Sequence, residues 1–345
     1  MSTRLMVVDL RSTAQAFCLP ERVAQALTDA VPSDWHLQIV ESVTDSFGDG
    51  AQAPSEESLA VIPDAEVYVG FGMPRALFLA GPKLKWVQTG TAGVATLLFD
   101  EMRRGDCLLT NAAGIYGPTI AEHVLAGTLH FLRAFDLADE MRREHVWDQS
   151  AFATPRALVR EVDELHVLVV GAGGLGSEIA RRFSALGARV SGVRRRPGLG
   201  VPPGFHEIHG PSELDGLLPL ADVVVLATPL TEETRAILDA QRMKGLKPGV
   251  IVANVARGAL LDEEALVTGL TAGRIRGAVL DVFAKEPLAG DSPLWHLPRV
   301  VWTPHVSGVS PRRFWDRLQD LILDNWARYR AGESLRNLVD KRAGY

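Results

Sequence analysis

Short apolar runs alternate with amphipathic segments along the first hundred residues of the chain. Runs rich in valine, leucine or aromatic residues predict strands, and three- and four-residue spacing of apolar positions predicts helices. The predicted strands are residues 5–8, 37–40, 66–70 and 86–89, and the predicted helix is 21–30. This alternation is typical of a parallel sheet covered by helices. Residues 44–58 are rich in Gly, Asp, Pro and Ser and predict a solvated loop.

A second alternating series follows a long helical pattern at 119–143 and a polar, proline-containing connection at 147–165. Its predicted strands are 166–171, 188–194, 221–227, 249–254, 275–282 and 300–302, with helices at 177–186 and 311–330. Six strands joined by helical segments predict a doubly wound parallel sheet. Together with a length of 345 residues, which exceeds the usual single core, the pattern predicts an α/β protein of two domains.

Composition narrows the class of protein. A net charge of −6 lacks the basic excess that favours nucleic acid, and no apolar stretch is long enough to span a bilayer. Cys18 and Cys107 are far apart in sequence, which argues against a disulfide framework and for a reducing compartment. We expect a cytoplasmic protein with no nucleic-acid partner, no membrane segment and no metal site.

Three polar residues fall at or just beyond the ends of predicted strands: Arg257, Glu286 and His305. In an open parallel sheet the carboxyl ends of the strands meet at one crevice, where ligands bind. Arg offers a planar fork for a carboxylate or carbonyl, His exchanges a proton near neutral pH, and Glu can orient and charge that His. The trio predicts acid/base chemistry on a small anionic molecule. The alternative is three unrelated residues, because the chain holds 36 Lys and Arg and nine His.

A predicted strand that leads into a glycine-rich turn indicates the class of cofactor. Residues 167–170 are apolar and lead to Gly171, Gly173 and Gly176, with an amphipathic helix behind them. This Gly-x-Gly-x-x-Gly pattern permits a tight turn, lets backbone approach a pyrophosphate and lets helix and strand pack closely. We predict dinucleotide binding, against the alternative of a purely structural turn.

The end of the next strand predicts which dinucleotide is preferred. An acidic residue about 20 positions after the glycines would grip the ribose hydroxyls of NAD, but the chain has Arg194, Arg195 and Arg196 there. Guanidinium groups bind a 2′-phosphate, which a carboxylate repels. We therefore predict a preference for NADP(H), with NAD(H) as a second cofactor. The alternative is a solvated basic turn.

Several motifs in order resemble the D-isomer-specific 2-hydroxyacid dehydrogenases, especially the glyoxylate/hydroxypyruvate reductase-like branch. They are residues 114–123 (GIYGPTIAEH), 171–176 (GAGGLG), 227–234 (ATPLTEET), 254–262 (NVARGALLD), 281–288 (DVFAKEPL) and 303–308 (TPHVSG). The resemblance extends from about residue 66 to residue 339. It implies that Arg257 holds the substrate, Glu286 pairs with the catalytic His, and His305 gives or takes the proton.

The resemblance also implies ligand-binding positions outside the trio. Those along the dinucleotide are Gly174, Leu175, Thr228, Pro229, Thr234, Val255, Ala256, Asp281 and Gly308. The turn at Ala92, Gly93 and Val94 resembles the one whose amides cradle a substrate carboxylate, although Ala95 stands where the family usually has Asp. The implied reaction is reversible reduction of a small 2-oxo acid, such as glyoxylate or hydroxypyruvate, to the D-2-hydroxy acid.

The fold implied by the resemblance is two Rossmann-like domains, with the cofactor domain inserted into the substrate domain. The predicted boundaries are 1–114 with 308–345 for the substrate domain and 115–307 for the cofactor domain. The resemblance makes 119–143 an element of a homodimer interface through the cofactor domain, although an ordinary core helix is the alternative. It leaves the roles of Phe71, Met73, Trp147 and Trp315 open.

Other activities of the same fold remain as alternatives at this point. Relatives oxidise formate or phosphite, or act on phosphorylated hydroxyacids, and some are dinucleotide-responsive corepressors. The presence of Arg257, Glu286 and His305 together favours hydroxyacid chemistry over formate chemistry. A dinucleotide-sensing regulatory protein with little or no turnover is the alternative from a different class.

Overall fold

The computed structural model describes residues 4–44, 53–154 and 157–344. The chain forms two compact units, Met1–Tyr116 with Val309–Tyr345, and Gly117–Gly308. The second unit is therefore an insertion between two segments of the first. Both units are α/β structures with parallel sheets, which confirms the predicted fold class.

The first unit contains, within the described residues, a five-stranded parallel sheet in the order β2-β1-β3-β4-β5. Its strands are β1 (Arg4–Asp9), β2 (Trp35–Ile39), β3 (Ala65–Gly70), β4 (Trp86–Thr89) and β5 (Leu108–Thr110). Its helices before the insertion are α1 (Glu21–Ala30), α2 (Glu56–Val61), α3 (Arg75–Ala80) and α4 (Asp100–Arg104). The strands β3 and β4 are buried along their whole length, as expected for a sheet covered on both faces.

Helix α2 corrects the end of the loop predicted at 44–58. The helix begins at Glu56 because the Ser55 hydroxyl accepts a hydrogen bond from the Ser58 amide at 3.0 Å, a capping contact that ends the loop early. Residues 45–52 of that predicted loop lie outside the described residues.

The second unit contains, in its described part, a seven-stranded parallel sheet in the order β12-β11-β10-β9-β6-β7-β8. Its strands are β6 (His166–Val170), β7 (Arg189–Val193), β8 (Glu207–His209), β9 (Val223–Leu226), β10 (Val250–Asn254), β11 (Ile275–Leu280) and β12 (Val300–Trp302). Strand β8 was not predicted, because three residues alternating with polar side chains carry no apolar run.

The helices of the second unit include a break that the sequence did not reveal. They are α5 (Gly117–Leu132), α6 (Phe135–Glu144), α7 (Gly174–Ala185), α8 (Leu214–Leu217), α9 (Ala240–Gly245) and α10 (Glu263–Thr271). The single helix predicted at 119–143 is wrong: Ala134 adopts φ 51°, in the left-handed region, and separates α5 from α6.

The last helix, α11 (Pro311–Ala331), belongs to the first unit. It starts with a proline in its first turn and ends at Gly332, whose φ of 69° suits a residue without a Cβ. Its Phe314 and Trp315 pack against Phe71 in a buried aromatic cluster. Phe71, Met73 and Trp315 are each at most 3% exposed, so these three residues are core packing groups.

Candidate active site

The predicted trio follows three strands that are neighbours in the second sheet. Strands β10, β11 and β12 lie side by side, and Asn254 pairs with Leu280, which pairs with Trp302. The carboxyl ends of these strands are thus level, and the segments that leave them carry Arg257, Glu286 and His305. The structure brings these residues together: the Arg257 charge acts on the pKa of both Glu286 and His305.

Arg257 sits on a turn that is shaped by buried neighbours. The Asn254 side-chain amide is fully buried and donates to the Arg257 carbonyl at 2.9 Å. The adjacent Gly258 lies so close to the next loop that a Cβ there would be 1.8 Å from the carbonyl carbon of Phe283. Only glycine permits this approach, which places the Arg257 turn against the loop that carries Glu286.

Glu286 and His305 form a hydrogen-bonded pair. The distance from His305 Nδ1 to Glu286 Oε2 is 2.8 Å, and the second oxygen, Oε1, accepts from the Phe283 amide at 3.0 Å. The bond to Glu286 is the largest influence on His305 and raises its pKa, although burial and Arg257 oppose this. Burial opposes ionisation of Glu286, but the donors from His305 and Phe283 outweigh it and lower the pKa of this carboxyl.

This pair can hold and release a proton. With Nδ1 donating to Glu286, the imidazole is oriented and its charged form is stabilised. The other ring nitrogen, Nε2, is then the atom that exchanges a proton with a ligand. Arg257 nearby provides a fixed cation for a developing oxyanion or a carboxylate.

Asp281 holds the turn on which His305 lies. Its carboxyl is 1% exposed and accepts from the Thr303 hydroxyl at 2.6 Å, from the Val306 amide at 2.8 Å, and from both the amide and hydroxyl of Ser307. The sequence resemblance placed Asp281 along the dinucleotide. Its carboxylate oxygens bind Thr303, Val306 and Ser307, which flank or follow His305, and its place along the dinucleotide stays a prediction.

The glycine loop has the geometry that a dinucleotide phosphate requires. Gly171 adopts φ 114°, and a Cβ at Gly176 would lie 1.9 Å from the Gly171 carbonyl oxygen, so neither position accepts a side chain. By contrast, a Cβ built at the exposed Gly173 or Gly174 meets no heavy atom within 4 Å. The space beside the first turn of α7 is therefore open, and the amides of a helix N-terminus in such a place can bind a pyrophosphate. Leu175 lies in the same turn.

The three arginines after β7 differ in their contacts. The Arg194 guanidinium is partly buried and donates to the carbonyl oxygens of Pro197, at 3.4 Å, and Gly200, closing the loop that follows. Arg195 and Arg196 are exposed. Arg194 therefore closes the loop, whereas the exposed Arg195 lies near enough to Glu233 to lower the pKa of that carboxyl.

The remaining predicted dinucleotide residues lie after neighbouring strands of the same sheet. Thr228, Pro229 and Thr234 follow β9, and the Thr234 hydroxyl donates to the Pro229 carbonyl at 2.7 Å, which stabilises that turn. Val255 and Ala256 follow β10, and Gly308 ends the unit after β12. These positions and the glycine loop thus share one edge of the sheet, the edge where parallel α/β sheets bind ligands.

The predicted substrate turn belongs to the first unit. The Asn111 side-chain amide donates to the Ala92 carbonyl at 2.8 Å, and the Thr91 hydroxyl donates to the Gly93 carbonyl at 2.9 Å. Among the described residues, the amides of Ala92, Gly93 and Val94 make no hydrogen bond. Consecutive amides without acceptors can bind an anion where they point to the same side of the chain.

Two supporting residues were overlooked at the sequence level. Asn254 and Thr303 begin two of the quoted motifs, but neither was assigned a role. Asn254 is the last residue of β10, and Thr303 directly follows β12. These positions are the signal in the sequence, because side chains at a strand end can reach the neighbouring turns.

Two kinds of feature are absent from the described residues. In the described ranges there is no helix that combines the length and apolar character needed to cross a membrane. The same part of the chain contains no group of three or more His, Cys, Asp or Glu side chains arranged to hold a metal ion.

Comparison with known proteins identifies the family. Residues 125–307 match the model of the D-isomer specific 2-hydroxyacid dehydrogenase, NAD binding domain. Glyoxylate/hydroxypyruvate reductase A of Salmonella paratyphi B is 31% identical over 281 residues, which are 79% of this chain and 85% of that protein. D-3-phosphoglycerate dehydrogenase of Mycobacterium bovis is 34% identical over 294 residues, 84% of this chain. The chain spans only 54% of the length of that mycobacterial relative.

A solved structure agrees over the whole chain. The NADPH-dependent glyoxylate/hydroxypyruvate reductase from Sinorhizobium meliloti, in complex with NADP and sulfate, superposes with a TM-score of 0.79 at 27% identity. The match covers 99% of this chain and all of that one. The chain therefore belongs to the D-isomer specific 2-hydroxyacid dehydrogenase family, and its second unit contains the NAD-binding domain of that family.

Proposed function

We propose that this protein is an NADPH-preferring reductase that converts small 2-oxo acids of the glyoxylate/hydroxypyruvate type into D-2-hydroxy acids, in a reversible reaction. The observation that carries the proposal is the His305–Glu286 pair beside Arg257, on the same sheet edge as the glycine loop. The similarity to reductases named for glyoxylate and hydroxypyruvate supports the substrate class.

Each residue of the trio has a defined task in this reaction. A bound reduced nicotinamide supplies the hydride to the carbonyl carbon of the 2-oxo acid. Arg257 binds the substrate carboxylate and carbonyl, and its fixed charge stabilises the oxygen as negative charge develops. His305 donates a proton to that oxygen, and Glu286 stabilises the imidazolium that acts as the donor. In the oxidative direction the neutral His305 accepts the proton instead.

The first unit contributes to substrate binding in this proposal. The unbonded amides of Ala92, Gly93 and Val94 bind the carboxylate of the 2-oxo acid, as oriented backbone dipoles bind other small anions. Ala95 stands where the family usually has Asp, so this position adds no carboxylate charge beside the turn.

We assign the dinucleotide preference to Arg195 and Arg196, which are exposed at the end of β7 and offer guanidinium groups to a 2′-phosphate. Arg194 shapes their loop instead of binding the phosphate. The phosphates in the middle of the dinucleotide bind at Gly171, Gly173, Gly174 and Gly176 with Leu175, and the rest of the cofactor lies along Thr228, Pro229, Thr234, Val255, Ala256 and Gly308.

The direct test is an assay of NADPH and NADH oxidation with a panel of 2-oxo acids. The panel contains glyoxylate, hydroxypyruvate, pyruvate and 3-phosphohydroxypyruvate, because the mycobacterial relative is a phosphoglycerate dehydrogenase. We expect kcat/KM to be highest with NADPH and an unphosphorylated two- or three-carbon acid. A clear preference for NADH would contradict the cofactor assignment, and dinucleotide binding without turnover of any acid would support a regulatory sensor instead.

We further propose a homodimer through the cofactor domain. Helix α6 and the segment after it expose Phe135, Val146 and Trp147, and Trp147 is 88% exposed. Exposed large apolar side chains are typical of an interaction surface, and a second copy of the chain is the partner that the family resemblance supports. Light scattering should give a molar mass of twice the 37.4 kDa of one chain. The Trp147→Ser substitution should shift the measured mass toward that of a single chain. A wild-type monomer would contradict the proposal.

We place this protein in the cytoplasm. Cys18 and Cys107 are free thiols in the structure, which suits a reducing compartment. Localisation of the tagged protein after cell fractionation tests this assignment.

A further inference from the structure

The turn that carries His305 adopts an unfavourable backbone conformation. His305 has φ 56°, in the left-handed region that only a few per cent of residues other than glycine adopt, although histidine is found there more often than most. Such a conformation is unfavourable and persists only where neighbouring contacts fix it. The contacts that fix this turn therefore also determine where the imidazole lies.

Those contacts converge on Asp281. The Asp281 carbonyl accepts from the His305 amide at 2.8 Å, and Asp281 Oδ1 accepts from the Val306 amide at 2.8 Å. A side chain, the Thr303 hydroxyl, also donates to Oδ1, at 2.6 Å. Asp281 Oδ1 thus accepts hydrogen bonds from residues on both sides of His305 in the sequence. Thr303 precedes His305, and Val306 follows it.

The direction of these hydrogen bonds can be deduced. A carboxylate only accepts, so the single hydroxyl hydrogen of Thr303 points to Asp281. The Thr303 oxygen is also 3.4 Å from His123 Nε2, on helix α5. Because the Thr303 hydrogen is already used, His123 must donate, which requires a hydrogen on Nε2. Burial lowers the pKa of His123, with Asp281 opposing, and this favours the neutral imidazole, which has one N–H to donate.

We propose that Thr303 is a positioning residue that holds the His305 turn through Asp281, and that His123 fixes the Thr303 hydroxyl in the donating orientation. This inference builds on the proposed role of His305 as the proton donor. It predicts that the hydroxyl of Thr303, and not the volume of its side chain, maintains the 2.8 Å contact between His305 and Glu286.

Paired variants separate the hydroxyl from the side-chain shape. Thr303→Val keeps the branched shape and removes the donor, whereas Thr303→Ser keeps the donor and removes a methyl group. His123→Leu removes the donor to Thr303, and His123→Gln keeps an N–H group. Circular dichroism and thermal unfolding establish that each variant is folded, and the His123 pair tests the same connection from a different helix if Thr303→Val does not fold.

The first readout needs no substrate. An NMR pH titration follows the His305 imidazole in the purified full-length protein, and its resonance is assigned by its loss in His305→Gln. The charged groups that act on this imidazole are Glu286, Arg257 and Asp281. In Thr303→Val the turn should loosen, the bond to Glu286 should weaken, and the pKa of His305 should fall toward its ordinary value. Thr303→Ser should titrate like the wild type.

The second readout is the steady-state reduction of hydroxypyruvate by NADPH. We expect kcat to fall about tenfold in Thr303→Val, the size expected for loss of one hydrogen bond to a charged group, with KM nearly unchanged. His123→Leu should shift kcat and the His305 titration in the same direction, and the Ser and Gln variants should retain both. A wild-type titration and kcat in folded Thr303→Val would overturn the proposal. A wild type without 2-oxo acid turnover would refute the proposed function, while the titration would still decide the role of Thr303.

Discussion

Replacing Glu286 with glutamine removes the negative charge beside His305 while keeping the length and shape of the side chain. Glu286 Oε2 is 2.8 Å from His305 Nδ1, and this contact is the largest cause of the raised pKa of His305. Without the charge, the imidazolium loses its main stabilising partner. The reductive reaction needs that imidazolium, so Glu286→Gln should be impaired most where the wild type is protonated and the variant is not.

The size of the effect follows from the contact and its exposure. A hydrogen bond to a charged group contributes about 1.5–3 kcal/mol. The side chains of Glu286 and His305 are 36% and 29% exposed, so solvent screening favours the lower end of this range. Since about 1.4 kcal/mol corresponds to a factor of ten in rate, kcat/KM for reduction should fall about tenfold near neutral pH.

The sign of the pH dependence distinguishes this explanation from a general loss of structure. A raised pKa keeps His305 protonated to higher pH, so wild-type reduction declines as pH rises through that raised value. In Glu286→Gln the decline should begin at lower pH, and the loss of activity should shrink at acid pH, where His305 is protonated in both proteins. Oxidation of the hydroxy acid should show the opposite trend, because it needs the neutral imidazole.

The assay is the initial rate of NADPH oxidation with hydroxypyruvate, measured across pH for the wild type and for Glu286→Gln. Glu264→Gln is the matched control, because it removes the same charge from an exposed position on helix α10. The control should behave like the wild type. If Glu286→Gln retains the wild-type kcat/KM and the same decline with pH, then Glu286 does not set the protonation of His305 and the reasoning is wrong.

Three further predictions concern the other parts of the site. Arg257→Lys replaces a planar fork with a point charge and should lower kcat/KM for 2-oxo acids about 10- to 100-fold in the steady-state assay. The double change of Arg195 and Arg196 to Ala should reduce the ratio of NADPH to NADH affinity, measured by quenching of protein fluorescence, with little change for NADH. Gly176→Ala puts a Cβ 1.9 Å from a carbonyl oxygen and should lower the thermal unfolding midpoint, whereas Gly173→Ala should leave that midpoint unchanged and weaken dinucleotide binding. Equal midpoints for the two glycine variants would contradict the packing argument.

The strands and the trio could be predicted because their signals are local. A fully buried parallel strand reads as an apolar run, and a polar residue just after it must lie at the sheet edge. Strand β12 was predicted with its observed bounds, and Arg257 and His305 follow their strands closely enough for the placement to hold. The glycine pattern predicts a tight turn with a backbone conformation that favours glycine, and Gly171 adopts a positive φ of 114°.

Other features depend on contacts that the local sequence does not record. The break between α5 and α6 falls at Ala134, a good helix former, so no glycine or proline announces it. Arg276 stabilises the chain on both sides of this break. Its guanidinium donates to both oxygens of Asp136 and to the Phe131 carbonyl. That contact joins residues 140 positions apart in sequence.

The same limit applies within the site. The sequence motif identified Asp281 as a functional position, but its five donor contacts depend on how the turn after β12 folds back over it. The left-handed conformation of His305 could not be read from a sequence in which it follows proline and precedes valine. The motifs thus predicted which residues belong to the site. Only the folded turn shows which of these residues hold their neighbours in position.

In the proposed reaction, His305 transfers the proton during reduction of the 2-oxo acid. The most direct measurement compares the wild type with His305→Gln for NADPH oxidation by glyoxylate and hydroxypyruvate, together with NADPH binding in the absence of substrate. We expect turnover by the wild type, a loss of kcat on the order of a hundredfold or more in His305→Gln, and equal NADPH affinity in both proteins. Full turnover by His305→Gln, or NADPH binding by the wild type without reduction of either acid, would contradict the proposal.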